Sequence, residues 1–309
     1  MIAHQDSLTP FLIKVSRKQK RISFWVIHAV CLGAIWTGVS PVAALVGLAF
    51  YLVRMFAITG WYHRYFSHRS FKTGRATQFV FACLGCMACQ KGPLWWASHH
   101  REHHMFSDGP RDPHSPVRMG FWYSHVLWFF NPSSYAVREE RIRDLLAYPE
   151  LRWLERYHWV PPLIAGACMC VLGYFLQAWR PALGTGAMQM LVWGFFVSTV
   201  MVYHGTFSIN SLGHLMGRAR YETGDESRNS PLLALFTLGE GWHNNHHHFP
   251  ASARQGFFWW EVDITFYLLK AMAMAGLVRE LRRVPERVRD SKKLPKWKAG
   301  SRLAHGMVF

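Results

Sequence analysis

The sequence predicts an all-α integral membrane protein, with four transmembrane helices in two hairpins and every long connecting segment on one membrane face. Three observations predict it. Half of the 309 residues are hydrophobic and gather in four apolar runs, the basic residues sort to one side of those runs, and the histidines cluster on that same side.

The first hairpin joins Ile22 to Trp36 with Val42 to Thr59 through Thr37-Gly38-Val39-Ser40-Pro41, whose Gly and Pro mark a turn. Each run falls slightly short of the about 20 residues that cross a bilayer, so its ends must extend or the membrane must thin locally. The second hairpin joins Val160 to Trp179 with Met188 to Ile209, both long enough to span, through a linker containing Arg180-Pro181. The chain thus reads as one domain over 1–309. A basic segment 1–21 precedes the first hairpin (22–59), a segment 60–159 separates it from the second (160–209), and 210–309 ends in a basic tail. Neither an internal repeat nor a low-complexity stretch is present.

Lys and Arg number 35 against 18 Asp and Glu, an excess of +17 that needs an anionic partner. Five basic residues precede the first span, thirteen lie between His63 and Tyr157, and fifteen follow Ser211. Only Arg180 lies in either opposite loop, so both termini and the middle segment are expected in the cytoplasm. Arg54, inside a span, is expected to snorkel to the cytoplasmic interface or to pair within the bundle. The run from Lys14 to Arg21 ahead of the first apolar stretch imitates a signal peptide but reads as a retained anchor. The tail from Arg279 to Arg302 carries no nucleic-acid recognition module, so membrane lipid is its expected partner and nucleic acid is not. All six cysteines lie in apolar stretches, as in a reduced, cytosol-facing protein. Cys83, Cys86 and Cys89 lack the fourth cysteine of an iron–sulfur motif and read as a helix face.

Nine of the eighteen histidines fall into four patterns. His63 and His68 form His-x4-His just past the second apolar run. His100, His103 and His104 stand at i, i+3 and i+4, on one face if helical. His214 follows Asn210 by four residues, and His243, His246 and His247 repeat the His-x2-His-His spacing. Three imidazoles on one turn cannot all serve one ion with good geometry, so the patterns suit two metals side by side, a dinuclear redox site. Nine donors, with Asn210 as a tenth group acting through water, supply four or five ligands to each ion and leave room for oxygen. His4, His28, His114, His125, His158, His204 and His305 read as ordinary surface or core residues, and His99 and His248 as flanking ones.

These patterns resemble the membrane-bound fatty acid desaturase family, in the branch of acyl-CoA (stearoyl-CoA type) delta-9 desaturases. The likeness runs from about Arg54 to Trp260. Besides the histidines it rests on Asp112-Pro113-His114, Asn210 to His214, Gly239-Glu240-Gly241-Trp242-His243, and His247-His248-Phe249-Pro250. The resemblance implies four transmembrane helices under a cytoplasmic helical cap, two iron ions (Fe2+), O2 as co-substrate and a bent tunnel for a fatty acyl substrate. It implies His63, His68, His100, His103, His104, His214, His243, His246 and His247 as iron ligands, with Asn210 holding a metal-bound water. It implies a cis double bond, expected at position nine, with a tunnel floor in the first hairpin for which Gly33, Ala34, Ala43 and Gly47 are candidates. Electrons are expected from a separate ferredoxin, rubredoxin or cytochrome b5 type protein, since no His-Pro-Gly-Gly haem motif is present.

Ser98-His99 and Phe129 to Pro132 replace charged residues that help hold coenzyme A in animal relatives. Lys72, Arg75, Arg118 and Arg138 remain as candidate head-group contacts, and an acyl-lipid or acyl-carrier-protein substrate stays open. Two further readings compete. A related di-iron fatty acyl hydroxylase shares hydrogen abstraction and differs in the second step. A membrane metal transporter would place ionisable groups near the midplane of its spans, where Arg54 is the only obvious charge.

Overall fold

The computed structural model describes residues 17–295, with 17–21 as backbone alone. The basic residues Lys14, Lys296, Lys298 and Arg302, together with His4 and His305, lie outside the described residues. Among the described residues three helices are long and apolar enough to cross a membrane: Pro41–Ser67, Val160–Trp179 and Ala187–Leu215. The first apolar run forms a shorter helix, Ile22–Thr37, interrupted by a 3-10 turn at Cys31–Gly33.

Each boundary has a local cause. Gly38 takes a left-handed φ of 61° that ends the first helix. The Ser40 hydroxyl then accepts from Ala43 N at 3.0 Å, with Pro41 opening the next helix. Ser40 Oγ also meets Thr185 Oγ1 at 2.5 Å, so the turns of the two hairpins lie together at one end of the bundle. Gly47 permits the closest packing between them: a Cβ there would stand 2.8 Å from Trp193 O.

Two spans run further than the hydropathy pattern suggests. Pro41–Ser67 continues past Thr59 with π-helical geometry over Ala57–Ser67, and Ala187–Leu215 continues past Ile209. His63 and His214 therefore sit on the membrane helices themselves, not beyond their ends. Arg54 pairs within the bundle: it is fully buried and donates to Ser198 Oγ (2.5 Å), Thr199 Oγ1 (2.6 Å) and Met87 O (3.1 Å). No carboxylate faces it among these partners, so hydroxyls and carbonyls carry the charge.

At the other end of the bundle the remaining chain forms short helices, among them Pro93–Phe106, Pro149–Arg156, His243–His248 and Ile264–Met274. A two-stranded antiparallel ribbon pairs Lys72 with Arg279 and Thr73 with Val278, tying the segment after the first histidine pair to the C-terminal region. Trp61, Tyr62, Phe66, Leu94, Ile142, Leu145 and Leu151 form one core beneath the helix Pro93–Phe106, which carries the second histidine pattern.

Candidate metal centre

The nine patterned histidines converge into two groups. His63, His68, His100, His104 and His246 form one, and His103, His214, His243 and His247 the other; within each, the ligand atoms lie within 4.8 Å of one another. The helix Pro93–Phe106 explains the split, because His100 and His104 point to the first group while His103 turns to the second. The Nε2 atoms face inward: His68 to His100 at 2.8 Å, His246 to His63 and to His104 at 2.9 Å each, and His214 to His243 at 3.0 Å. Buried His247 Nε2 has no hydrogen-bond partner while its Nδ1 is held by a carboxylate, and such an unpartnered inward nitrogen fits a metal that binds imidazole.

Four carboxylates orient this set. His103 Nδ1 meets Asp112 at 3.1 Å, His214 Nδ1 meets Asp108 at 2.9 Å, His247 Nδ1 meets Asp225 at 2.6 Å, and His63 Nδ1 contacts Glu240. Such partners fix the tautomer and turn Nε2 toward the ion. Arg64, fully buried, donates to Glu240 at 2.9 Å and to Asp263 at 2.9 Å, anchoring the last of the four. Electrostatics favours neutral ligands: burial and the neighbouring imidazoles hold His68, His100, His104, His243 and His246 well below the usual histidine range. For His247 burial brings the value down to about 4 despite Asp225. At His103 burial acts the same way, but the Asp112, Asp108 and Asp225 carboxylates together outweigh it and the net direction is up.

Of the four carboxylates, sequence reading singled out Asp112 and Glu240 only inside motifs and missed Asp108 and Asp225. His114, read as an ordinary surface or core residue, is buried, and its ring stacks on His103 at 4.4 Å. His99 is buried, with Nδ1 donating to Trp95 O, and His248 stacks on Tyr221 at 3.9 Å.

An apolar cavity of about 390 Å³ reaches this centre, touching His100 and Asn210 and walled by Phe24, Trp95, Trp96, Trp128, Tyr203 and Phe207. That volume suits a small-molecule chain. A void of about 30 Å³ between the histidine groups is lined by His63, His100, His103, His243 and Asn210, so the carboxamide borders both spaces.

The expected substrate contacts are placed elsewhere. None of Gly33, Ala34, Ala43 and Gly47 lines the cavity. Gly33 and Gly47 abut Val192 and Trp193, and Ala43 is fully buried, so their small size serves helix packing. Lys72 pairs with Glu280, Arg75 with Glu150 and Arg138 with Glu102, while Arg118 is exposed; none of the four lines the cavity either. The basic groups that do are Lys91 and Arg156, beside a buried Glu155.

Long apolar helices, with two histidine groups able to hold metal gathered at one end beside an apolar cavity, fit a membrane-type protein with a metal site. The fatty acid desaturase family model matches residues 39–280. Among relatives, an acyl-CoA 5-desaturase of Anemone leveillei is 39% identical over 86% of this chain and 79% of its own length. A delta-9 acyl-lipid desaturase of Arabidopsis thaliana is 38% identical, covering 83% of this chain and 80% of the relative. An sn-2 palmitoyl-lipid 9-desaturase of Nostoc sp. (strain 36) is 33% identical, covering 84% and 88%. The chain belongs to the fatty acid desaturase family, and its function is fatty acyl desaturation.

Proposed function

We propose that the two histidine groups each hold one iron, and that the protein uses O2 and two external electrons to place a cis double bond at position nine of a saturated acyl chain. The observation that carries this reading is the convergence of four separated sequence patterns into two imidazole groups beside one apolar cavity. The proposed ligands are His63, His68, His100, His104 and His246 at one ion, and His103, His214, His243 and His247 at the other. Bound iron would activate O2, the oxidant that removes two hydrogens from an unactivated methylene pair and leaves as water with the two external electrons.

The protein's own residues do the rest. Trp95, Trp96, Tyr203 and Phe207 exclude water and hold the chain against His100 and Asn210, so geometry selects which carbons are presented. Asp112, Asp108, Asp225 and Glu240 keep Nδ1 of their histidines protonated and Nε2 free to bind. Asn210, bordering both spaces, holds a water by its carboxamide. The acyl group arrives as a thioester of coenzyme A or as a lipid ester, in keeping with relatives of both kinds. Electrons come from a separate carrier protein. The one-sided distribution of Lys and Arg supports a cytoplasmic site with four membrane crossings, Ile22–Thr37 being the first.

The test is expression in a host lacking its own desaturase, followed by gas chromatography and mass spectrometry of the lipids. Loss of two hydrogens at a fixed distance from the carboxyl end supports the proposal. Gain of one oxygen would instead identify the hydroxylase.

A further inference from the structure

The described surface carries an apolar patch outside the long helices. On the short helix Pro231–Phe236, Leu233 and Ala234 are buried, whereas Leu232, Leu235 and Phe236 are 57–62% exposed. After the last histidines, Trp259 is 81% exposed, with Trp260 and Val262 above half. The helix Ile264–Met274 buries Phe266 and Leu269 and turns Tyr267, Leu268 and Met274 outward, Met274 at 82%. It is apolar on both faces, with Lys270 its only charged residue, which a helix facing water would not sustain.

Both short helices lean on the membrane helix Pro41–Ser67. The Tyr51 hydroxyl donates to Phe236 O, and Thr59 and Thr265 hydroxyls meet at 2.7 Å. Tyr51 and Thr59 are two turns apart, about 12 Å along the axis. The patch therefore continues the flank of that helix where Leu48, Leu52 and Val53 are exposed. Past its far end the chain turns basic, with exposed Arg279, Arg282 and Arg283. Exposed apolar residues and indoles, with a cationic stretch close by in the chain, have the composition of a segment seated between acyl zone and head groups.

We infer that Pro231–Phe236, Trp259-Trp260 and Ile264–Met274 form a monotopic platform buried in the membrane interface, with lipid as its occupant. This rests on the membrane reading of the long helices. It adds a second attachment: the segment bearing His243, His246 and His247 is bracketed by lipid-seated pieces on both sides in sequence, which fixes its depth relative to the bilayer.

Hydroxyl-radical footprinting with mass spectrometry tests this on the full-length protein, reconstituted at one copy per nanodisc of phosphatidylcholine and phosphatidylglycerol. Phe175 and Trp179, exposed on Val160–Trp179, report the lipid-covered level, and Met105, exposed on the helix of the second histidine pattern, reports the water level. Oxidation of Trp259, Trp260 and Met274 is expected to fall to the level of Phe175 and Trp179. If those two are protected while Trp259, Trp260 and Met274 oxidise like Met105, the platform is refuted and the patch awaits a protein partner. If Phe175 and Trp179 oxidise like Met105, the membrane reading itself fails. Single-copy discs without a donor protein exclude a second copy or a redox partner as the source of protection.

Discussion

Glu155 offers the sharpest test of the electrostatics around the cavity. It ends the helix Pro149–Arg156, is 4% exposed, and accepts from the backbone N–H of Leu94 (2.9 Å) and Trp95 (3.1 Å) at the start of Pro93–Phe106. Burial pushes its carboxyl up to about 7 from the ordinary 4.5, even though the two N–H groups and Lys91 favour the anion. Below pH 4.5 the group is neutral in folded and unfolded chains alike. Between pH 4.5 and 7 the unfolded chain ionises first, and stability is lost as pH rises through the folded value. At about 1.4 kcal/mol per pH unit the loss amounts to about 3 kcal/mol. Glu155→Gln keeps an acceptor for both N–H groups and removes the titration. The variant's thermal midpoint in nanodiscs should match wild type near pH 4.5 and exceed it progressively up to pH 7 and above. Infrared spectra should show a carboxylic C=O band that titrates near pH 7 and is missing from the variant. A midpoint difference independent of pH, or a variant less stable throughout, would refute the reasoning.

Asp112→Asn should lower turnover by about 10–100-fold through loss of the fixed His103 tautomer, and iron analysis beside activity checks it. His103→Ala should lower both iron content and activity while membrane insertion, read by protease protection, stays intact. Asn210→Ala is expected to reduce turnover more than iron content; equal, severe iron loss in Asn210→Ala and His214→Ala would contradict its role at a bound water. Gly47→Leu should lower the yield of folded protein, because its Cβ alone would press on Trp193 O, without changing the chain length accepted. A folded variant that accepts only shorter chains would restore Gly47 to the tunnel floor.

The histidine spacing made the clustering legible, since i, i+3 and i+4 put three imidazoles on one helical face, too many for one ion, while the fold decides that His103 parts from the other two. The carboxylates were less visible. Asp108 and Asp225 stand 106 and 22 residues from the histidines they orient, and no local pattern encodes a pairing made only by folding. Hydropathy placed Val160–Trp179 as the structure has it, because that helix carries apolar residues throughout. It stopped Pro41–Ser67 and Ala187–Leu215 short, because the turns that enter the metal centre exchange apolar residues for Trp61-Tyr62-His63-Arg64 and Asn210 to His214. The expected floor residues stand outside the cavity for a different reason. Small residues in a span signal either space for a ligand or close approach of a neighbour, and only the position of Trp193 decides between them.

The way the two histidine groups draw on the chain has a consequence for how the protein is made. One group takes four histidines from the N-terminal half and His246 from the C-terminal half; the other takes His103 from the first half and three from the second. Neither set is complete until the second hairpin is in place and the last histidines have left the ribosome. On the proposed assignment, metal loading would thus be the final act of assembly, and each ion would clasp the two halves together. Nor, on the same proposal, could a protease release a water-soluble catalytic fragment, because His63 and His214 belong to the long apolar helices themselves.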